Sequence, residues 1–231
     1  MRVSPALDPT RPPTYEDGVA SLLAVLAYGE LGAFERLAAD ARLAPTIGDR
    51  AALGSMATAE FRHFVRLRDA LTERGVDADP LIASFAAPFA EFHARTEPAD
   101  WLEGLVKAYV GDGLAIDFYR EIAALVDDRT RELVLEVFED TGHADFVQER
   151  VREAVAADPR VAGRLALWGR RLVGEALSQA QRVAATDDAL AHLLVGDGFD
   201  RPGVDLAEIG RMFARMTENH ARRMAALGFA A

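Results

Sequence analysis

Apolar residues recur along most of the chain at alternating steps of three and four, the spacing that gathers them on one face of an α-helix. The pattern starts near Tyr15 and runs to about Leu43, a span of roughly 45 Å at 1.5 Å per residue and far longer than an average globular helix. Thr46-Ile-Gly-Asp49 reads as a capping-box variant that opens a second helix, with Gly75 as its stop. So short a link makes the two helices antiparallel neighbours. Val76 to Glu97 is different: prolines at 80 and 88 punctuate it and Pro98 follows it, and it has room for one short helix carrying Phe85, Phe89 and Phe92. It is long enough to cross the length of a bundle, which would leave helices two and three parallel.

A third helix is predicted from Pro98 to about Val126 and a fourth from Asp127-Asp128 to Ala157. Asp158-Pro159 starts a fifth, through Trp168 to Val183. A less regular stretch with Gly196, Gly198, Pro202 and Gly203 precedes a final helix from Asp205 to Leu227. No segment shows strand alternation. The proline-rich first dozen residues carry no periodicity and read as a flexible arm. The expected organisation is an arm over 1–13, an all-α four-helix bundle over 14–157, and C-terminal helices over 158–231 packed on that bundle.

Composition narrows the function. Half of the 231 residues are hydrophobic, enough for a sizeable core. The longest apolar stretch, Val19 to Tyr28, is short for a bilayer, and the N-terminus lacks the apolar core of a signal peptide, so a soluble cytoplasmic protein without a membrane partner is expected. The absence of cysteine excludes disulfides, iron–sulfur clusters and thiolate zinc sites. Any metal must therefore sit on carboxylates and the five histidines. A net charge of −11 opposes broad nonspecific binding of polyanions.

Acids interrupt the apolar stripes of the four long helices. The first stripe reads Leu23, Leu26, Glu30, Phe34, Leu37, and the second Ala52, Met56, Glu60, His63, Leu67, Leu71. The third reads Leu102, Leu105, Tyr109, Asp112, Ile116, Tyr119, and the fourth Leu133, Val137, Asp140, His143, Val147, Val151. Burying an unpaired carboxylate is expensive, so four acids aimed at one bundle centre need shared protons, basic partners or a bound cation. No arginine lies on these stripes, which favours the cation. Residues three apart share a helix face, so Glu60-x-x-His63 and Asp140-x-x-His143 can each offer a carboxylate oxygen and an imidazole nitrogen to one ion. Four carboxylates and two histidines balance two divalent ions, and such donors suit iron or manganese.

The two hairpins repeat this arrangement. Asp112 follows Glu30 by 82 residues, while Asp140 and His143 follow Glu60 and His63 by 80 each. Two histidines with an acid three positions earlier would be unremarkable in so acidic a chain. Their joint placement on core stripes of successive hairpins carries the signal.

Glu30, Glu60-Phe-Arg-His63, Asp112 and Asp140-Thr-Gly-His143 resemble the di-iron ligand pattern of the ferritin-like superfamily, whose bundles also join two helical hairpins by one long crossover. Tyr-Gly-Glu30-Leu-Gly-Ala-Phe-Glu and Gly-Asp112-Gly-Leu-Ala-Ile-Asp-Phe-Tyr further resemble the tRNA hydroxylase-like group, which acts on an isopentenyl-type side chain of a tRNA adenosine. The resemblance implies a ferritin-like bundle with additional C-terminal helices and two iron ions as cofactors. It implies a di-iron monooxygenase that hydroxylates C–H bonds, with O2, an electron donor and tRNA as partners. Where the usual pattern has Glu, this chain has Asp112 and Asp140, one methylene shorter. Alternative readings of the same residues are iron handling or peroxide reduction, or a helical scaffold with a vestigial site. Length and composition are compatible with an oligomer.

Other residues have plainer readings. Glu139 sits four before His143 and competes with Asp140 as ligand. Glu35, Asp117 and Glu121 drift off the stripes and are expected in solvent, while Tyr109 and Tyr119 read as core residues. His93 and His192 lack an acid three residues earlier and read as ordinary surface or interface positions. His220 falls on the stripe of the last helix and reads as hydrogen-bonded at a helix end. Arg160, Arg164, Arg170 and Arg171 surround Trp168 as a basic cluster and are expected to be solvated.

Overall fold

The computed structural model describes residues 11–137, 143–195 and 206–229, and within them the chain is helical with no strand. Helix α1 spans Tyr15–Asp40 and runs into a 3-10 turn at Ala41–Leu43. It begins where it does because Thr14 and Asp17 cap each other: the Asp17 amide donates to Thr14 Oγ1 at 3.3 Å and the Thr14 amide to Asp17 Oδ2 at 2.8 Å. Residues Val19 to Ala27 are buried on every side and all but Ser21 are apolar, so this half of α1 forms the central helix. Helix α1 is long and apolar enough in composition to cross a membrane, but its apolar residues are enclosed by other helices of the chain. Of the expected arm, positions 1–10 lie outside the described residues, and Arg11 is paired with Asp17 at 2.8 Å.

Helix α2 (Ile47–Glu73) opens on the Thr46 cap, as its sequence predicts. It closes on Gly75, whose φ of +76° suits glycine; Val76 N–H donates to the Leu71 carbonyl and Gly75 N–H to that of Thr72, at 3.1 and 2.9 Å. The crossover folds as two short helices, α3 (Ala78–Ala83) and α4 (Ala86–Arg95), where the sequence suggested one. Helix α5 (Trp101–Ile122) starts three residues after Pro98, because Asp100 supplies the cap to the Glu103 amide at 2.9 Å. The expected fourth helix is described as α6 (Asp128–Val137) and α7 (His143–Ala157). Then follow α8 (Arg160–Thr186), the unforeseen α9 (Asp188–Val195) and α10 (Leu206–Ala226). Gly196, Gly198, Pro202 and Gly203 lie outside the described residues.

Side-chain contacts fix the helix directions. Arg74 donates to Thr130 at 2.9 Å, Arg66 meets Glu136 at 3.3 Å and Arg150 meets Asp49 at 3.3 Å, so α2 runs antiparallel to α6 and α7. Tyr15 bonds Asp127 at the far end of α5, while a Cβ on Gly104 near its start would lie 3.1 Å from Asp40, so α1 and α5 are antiparallel too. Helices α2 and α5 are therefore parallel, and 76–97 crosses the bundle as the spacing predicted. The apolar interior is divided. One cluster gathers Val19 to Ala27, Leu67 to Leu71 and Ile122 to Val137; the other gathers Leu37, Leu53 to Ala57, Leu105 to Leu114 and residues of α7, α8 and α10. Glu30 and the Glu60–His63 pair fall at the sequence boundary between the two clusters on both α1 and α2.

Candidate metal centre

Glu30 on α1 faces Glu60 and His63 on α2. His63 Nδ1 stands 3.2 Å from Glu30 Oε2 and 3.5 Å from Glu60 Oε2, and one ligand atom from each residue lies within 4.8 Å of the others. Glu60 and His63 reach the same point because three residues carry them almost one turn along a single helix face. Glu30 is 5 % exposed. Burial, reinforced by the Glu60 carboxylate, holds Glu30 well above the usual carboxylate range against the pull of His63. Glu60 behaves oppositely: burial pushes it up, but hydrogen bonds with His63 and Glu30 and the positive fields of His63 and His143 outweigh burial and lower it. The same two carboxylates overcome the burial of His63 and raise its imidazole to about 9. Without a cation, the three residues hold themselves together by retained protons. That buried oxygen, oxygen and nitrogen donor set fits a divalent ion such as iron or manganese.

The second half of the predicted ligand set is placed less tightly. Asp112 and His143 line the same cavity as Glu30 and Glu60. Asp112 is exposed rather than buried on its stripe, whereas His143, at the start of α7, is half-buried and close enough to influence Glu60. Asp140 and its competitor Glu139 lie outside the described residues. Tyr119, read as core, has its phenol pushed well above the usual range by burial and by the fields of Glu30, Glu60 and Asp112. It is a wall of this centre.

Comparison with known proteins bears on the fold that carries these residues. Residues 13–197 match the model of a family described as "Ferritin-like domain, actinomycetes". The chain belongs to this family. No curated protein matches it. Among solved structures, this ferritin-like chain is similar to "Protein 19 with aldehyde deformylating oxidase activity" from Synechococcus, at a TM-score of 0.69 and 20 % identity over 94 % of this chain and 92 % of that one. At that identity the likeness establishes the shared fold.

The carboxylates of this ferritin-like bundle open onto a cavity of about 780 Å³. Its walls are mainly apolar, with Met56, Phe89, Phe118, Val147, Leu177 and Phe213 drawn from six different helices. Helix α10 contributes Ile209, Met212, Phe213 and Met216, so the C-terminal helices complete the chamber next to the centre.

Three expectations for single residues need correction. Asp117 is 5 % exposed, accepting from Arg223 at 2.7 Å and from Asn219 at 2.9 Å, because α10 covers the face of α5 that looked solvent-facing. His220 is also 5 % exposed, and neither ring nitrogen has a hydrogen-bond partner. Burial and the neighbouring Arg223 lower it to about 4. His93 is a cavity wall rather than a surface residue: its Nδ1 is buried without a partner, and burial with the fields of Lys107 and Arg36 lowers the ring to about 4. Sequence reasoning missed Lys107 altogether. Its position between Val106 and Ala108, in an otherwise apolar run, was the available signal.

Proposed function

We propose that this protein is an oxygen-activating enzyme with a two-iron carboxylate centre that oxidises an apolar group held in the adjoining cavity. The observation that carries the reading is the continuity of the Glu30–Glu60–His63 cluster with a large apolar chamber. An iron-handling or peroxide-reducing protein needs the carboxylates but has no use for such a chamber. Glu30, Glu60 and His63 would hold iron together with Asp112, His143 and Asp140. Bound iron would supply the electrons that reduce O2 and so make an unreactive C–H bond oxidisable.

The chain's own residues do the rest. Once a metal displaces the shared protons, Glu30 and Glu60 would concentrate negative charge at the junction of the two apolar clusters and thereby favour the higher charge of an oxidised metal. His63 offers a nitrogen once its proton is displaced. The cavity walls keep water from the reacting group and orient it, and the buried Tyr119 phenol is a proton-bearing group near the carboxylates. The basic residues that could have touched tRNA are engaged within the chain: Arg164 with Asp100 and Glu103, Arg160 with Asp158, Arg170 with the Ala166 carbonyl and Arg171 with the Arg95 carbonyl. This favours a small molecule that enters the cavity over the tRNA substrate that the sequence resemblance implies.

The test is oxygen uptake by iron-loaded protein under isotopically labelled O2, with a reductant and a panel of medium-chain aliphatic molecules, alongside tRNA bearing isopentenyl-type adenosines. Labelled oxygen in an aliphatic product supports the reading. Label on the tRNA would restore the tRNA substrate, and absence of uptake would remove the enzyme.

A further inference from the structure

The cavity has a second polar region, away from the carboxylate cluster. Lys107 of α5 is 8 % exposed and lines the cavity. Its ammonium donates to the Thr96 carbonyl at 2.7 Å and stands 5.6 Å from the centre of the Phe92 ring. A carbonyl and a ring face do not neutralise a buried cation, and no carboxylate of the described residues lies at ion-pair distance from it. Burial and Arg36 lower this ammonium to about 8, against the pull of Glu97 and Asp40. His93 lines the same cavity, and its Nδ1 is buried without a partner. Gly32 of α1 is next to the ring: a Cβ there would lie 3.5 Å from Nε2, in ordinary van der Waals contact. Arg36, partly exposed and 3.7 Å from the exposed Glu97 carboxylate, is a third cavity-lining nitrogen group of this region.

Buried polar groups are normally partnered, and buried charges are almost always paired. A buried ammonium without an ion partner near an imidazole whose buried Nδ1 has no hydrogen-bond partner, both lining an apolar chamber, is the arrangement expected of a site for an anionic group. Asp40 and Glu97 are near enough to weaken the local positive field, which disfavours a dianion and suits a single negative charge. The position is informative too. Glu30 and Arg36 are six residues apart on α1, and Asp112 and Lys107 five apart on α5, steps of roughly 9 and 7.5 Å along the antiparallel helices toward the same end of the bundle.

Resting on the reading of this cavity as a substrate chamber, we propose that it binds an amphipathic monocarboxylate of the fatty-acid type. Lys107, His93 and Arg36 receive the carboxylate, and the aliphatic chain extends past Phe92 and Phe89 toward Glu30 and Glu60. The carbon brought to the metal centre is then several bonds from the carboxylate, and the head group itself stays out of the reaction. Neutral His93 donates one N–H, and Lys107 keeps two of its three N–H donors for the ligand after serving Thr96. The cavity volume falls within the usual range for sites that enclose small molecules, roughly 300–1,000 Å³.

The experiment titrates the metal-free, full-length protein at pH 7 with dodecanoate and with dodecan-1-ol, which share chain length and differ in charge, by calorimetry below their aggregation thresholds. Dodecanoate should bind about 10- to 100-fold more tightly than the alcohol, the range expected for hydrogen bonds to a charged group. Lys107→Gln, which keeps a donor for Thr96 but removes the charge, should bring the two affinities together and leave that of the alcohol unchanged. Helical circular dichroism checks its fold. Arg36→Gln, at a partly exposed position that does not threaten folding, should reduce the preference several-fold. Equal affinities in the unmodified protein would overturn the proposal, as would a preference that survives in a folded Lys107→Gln variant. An adequate carboxylate preference without iron-dependent oxygen uptake would overturn the proposed enzyme function and leave this anion site standing.

Discussion

His63 Nδ1 on α2 stands 3.2 Å from Glu30 Oε2 on α1, a contact that joins the first two helices where the apolar core is interrupted. Two carboxylates and an imidazole at that depth cost folding energy unless protons or a cation hold them together. Replacing Glu60 and His63 together by Leu should therefore abolish metal binding while the metal-free bundle stays folded, with a Tm equal to or above that of the unmodified protein. Metal analysis and thermal melts of the two metal-free proteins check this. Retention of two irons per chain would contradict the ligand assignment.

Protonation of the centre gives a pH dependence of definite sign. The folded-state pKa of His63, at about 9, lies above the ordinary 6.5, so its stabilising contribution is present in full below about pH 6.5 while Glu60 is ionised. It is lost as pH rises through 9. The stability advantage of metal-free unmodified protein over His63→Leu should be largest near pH 6 and shrink steadily to pH 9.5 in urea melts. Iron affinity should rise over the same interval, because the metal must displace that proton. An advantage that grows with pH would contradict the raised imidazole.

At the other side of α5, Arg223 of α10 meets Asp117 at 2.7 Å with both side chains largely buried. Removing one partner of such a pair leaves a buried charge alone and typically costs about 3–5 kcal/mol. Asp117→Ala should lower stability by that order in urea melts and loosen α10, seen as faster amide exchange over 206–226. A loss below about 1 kcal/mol would show that α10 is held by its apolar contacts alone.

Gly18 stands at the N-terminal start of the buried segment of α1, where a Cβ would stand 2.9 Å from the Ala189 carbonyl oxygen and 2.9 Å from Leu193 Cβ. Alanine gains about 1 kcal/mol over glycine in a helix interior, but the obstructing atoms are backbone and Cβ of α9 and cannot swing aside. Gly18→Ala should therefore destabilise the protein, by a net ~1–2 kcal/mol. Denaturant unfolding decides the sign, and a stabilised variant would mean that α9 shifts freely.

The stripe pattern made the bundle, the crossover and the Glu30–Glu60–His63 cluster legible, since α1 and α2 carry those residues between well-defined apolar neighbours. Helix α5 was harder to read because α1, α8 and α10 all pack against it, so burial no longer follows one face: Asp112 on the expected stripe is exposed, while Asp117 off it is enclosed. The cap that starts α9 is likewise a tertiary matter. Asp187 accepts from the Leu190 amide at 2.7 Å and from Ser21 Oγ at 3.0 Å, and the second bond spans 166 residues. His93 was read as a surface or interface position, and Lys107 was missed, because a search for acids paired with histidines gives no role to a lone histidine and passes over a lone lysine. Only the folded crossover shows that they line one chamber.

Metal content of the protein purified from iron-replete cells tests the central claim most directly. Two irons per chain, falling to none in the variant with Glu60 and His63 both replaced by Leu, is the predicted result. Folded protein that carries neither iron nor manganese, and takes up neither on anaerobic addition of the ferrous or manganous ion, would contradict it.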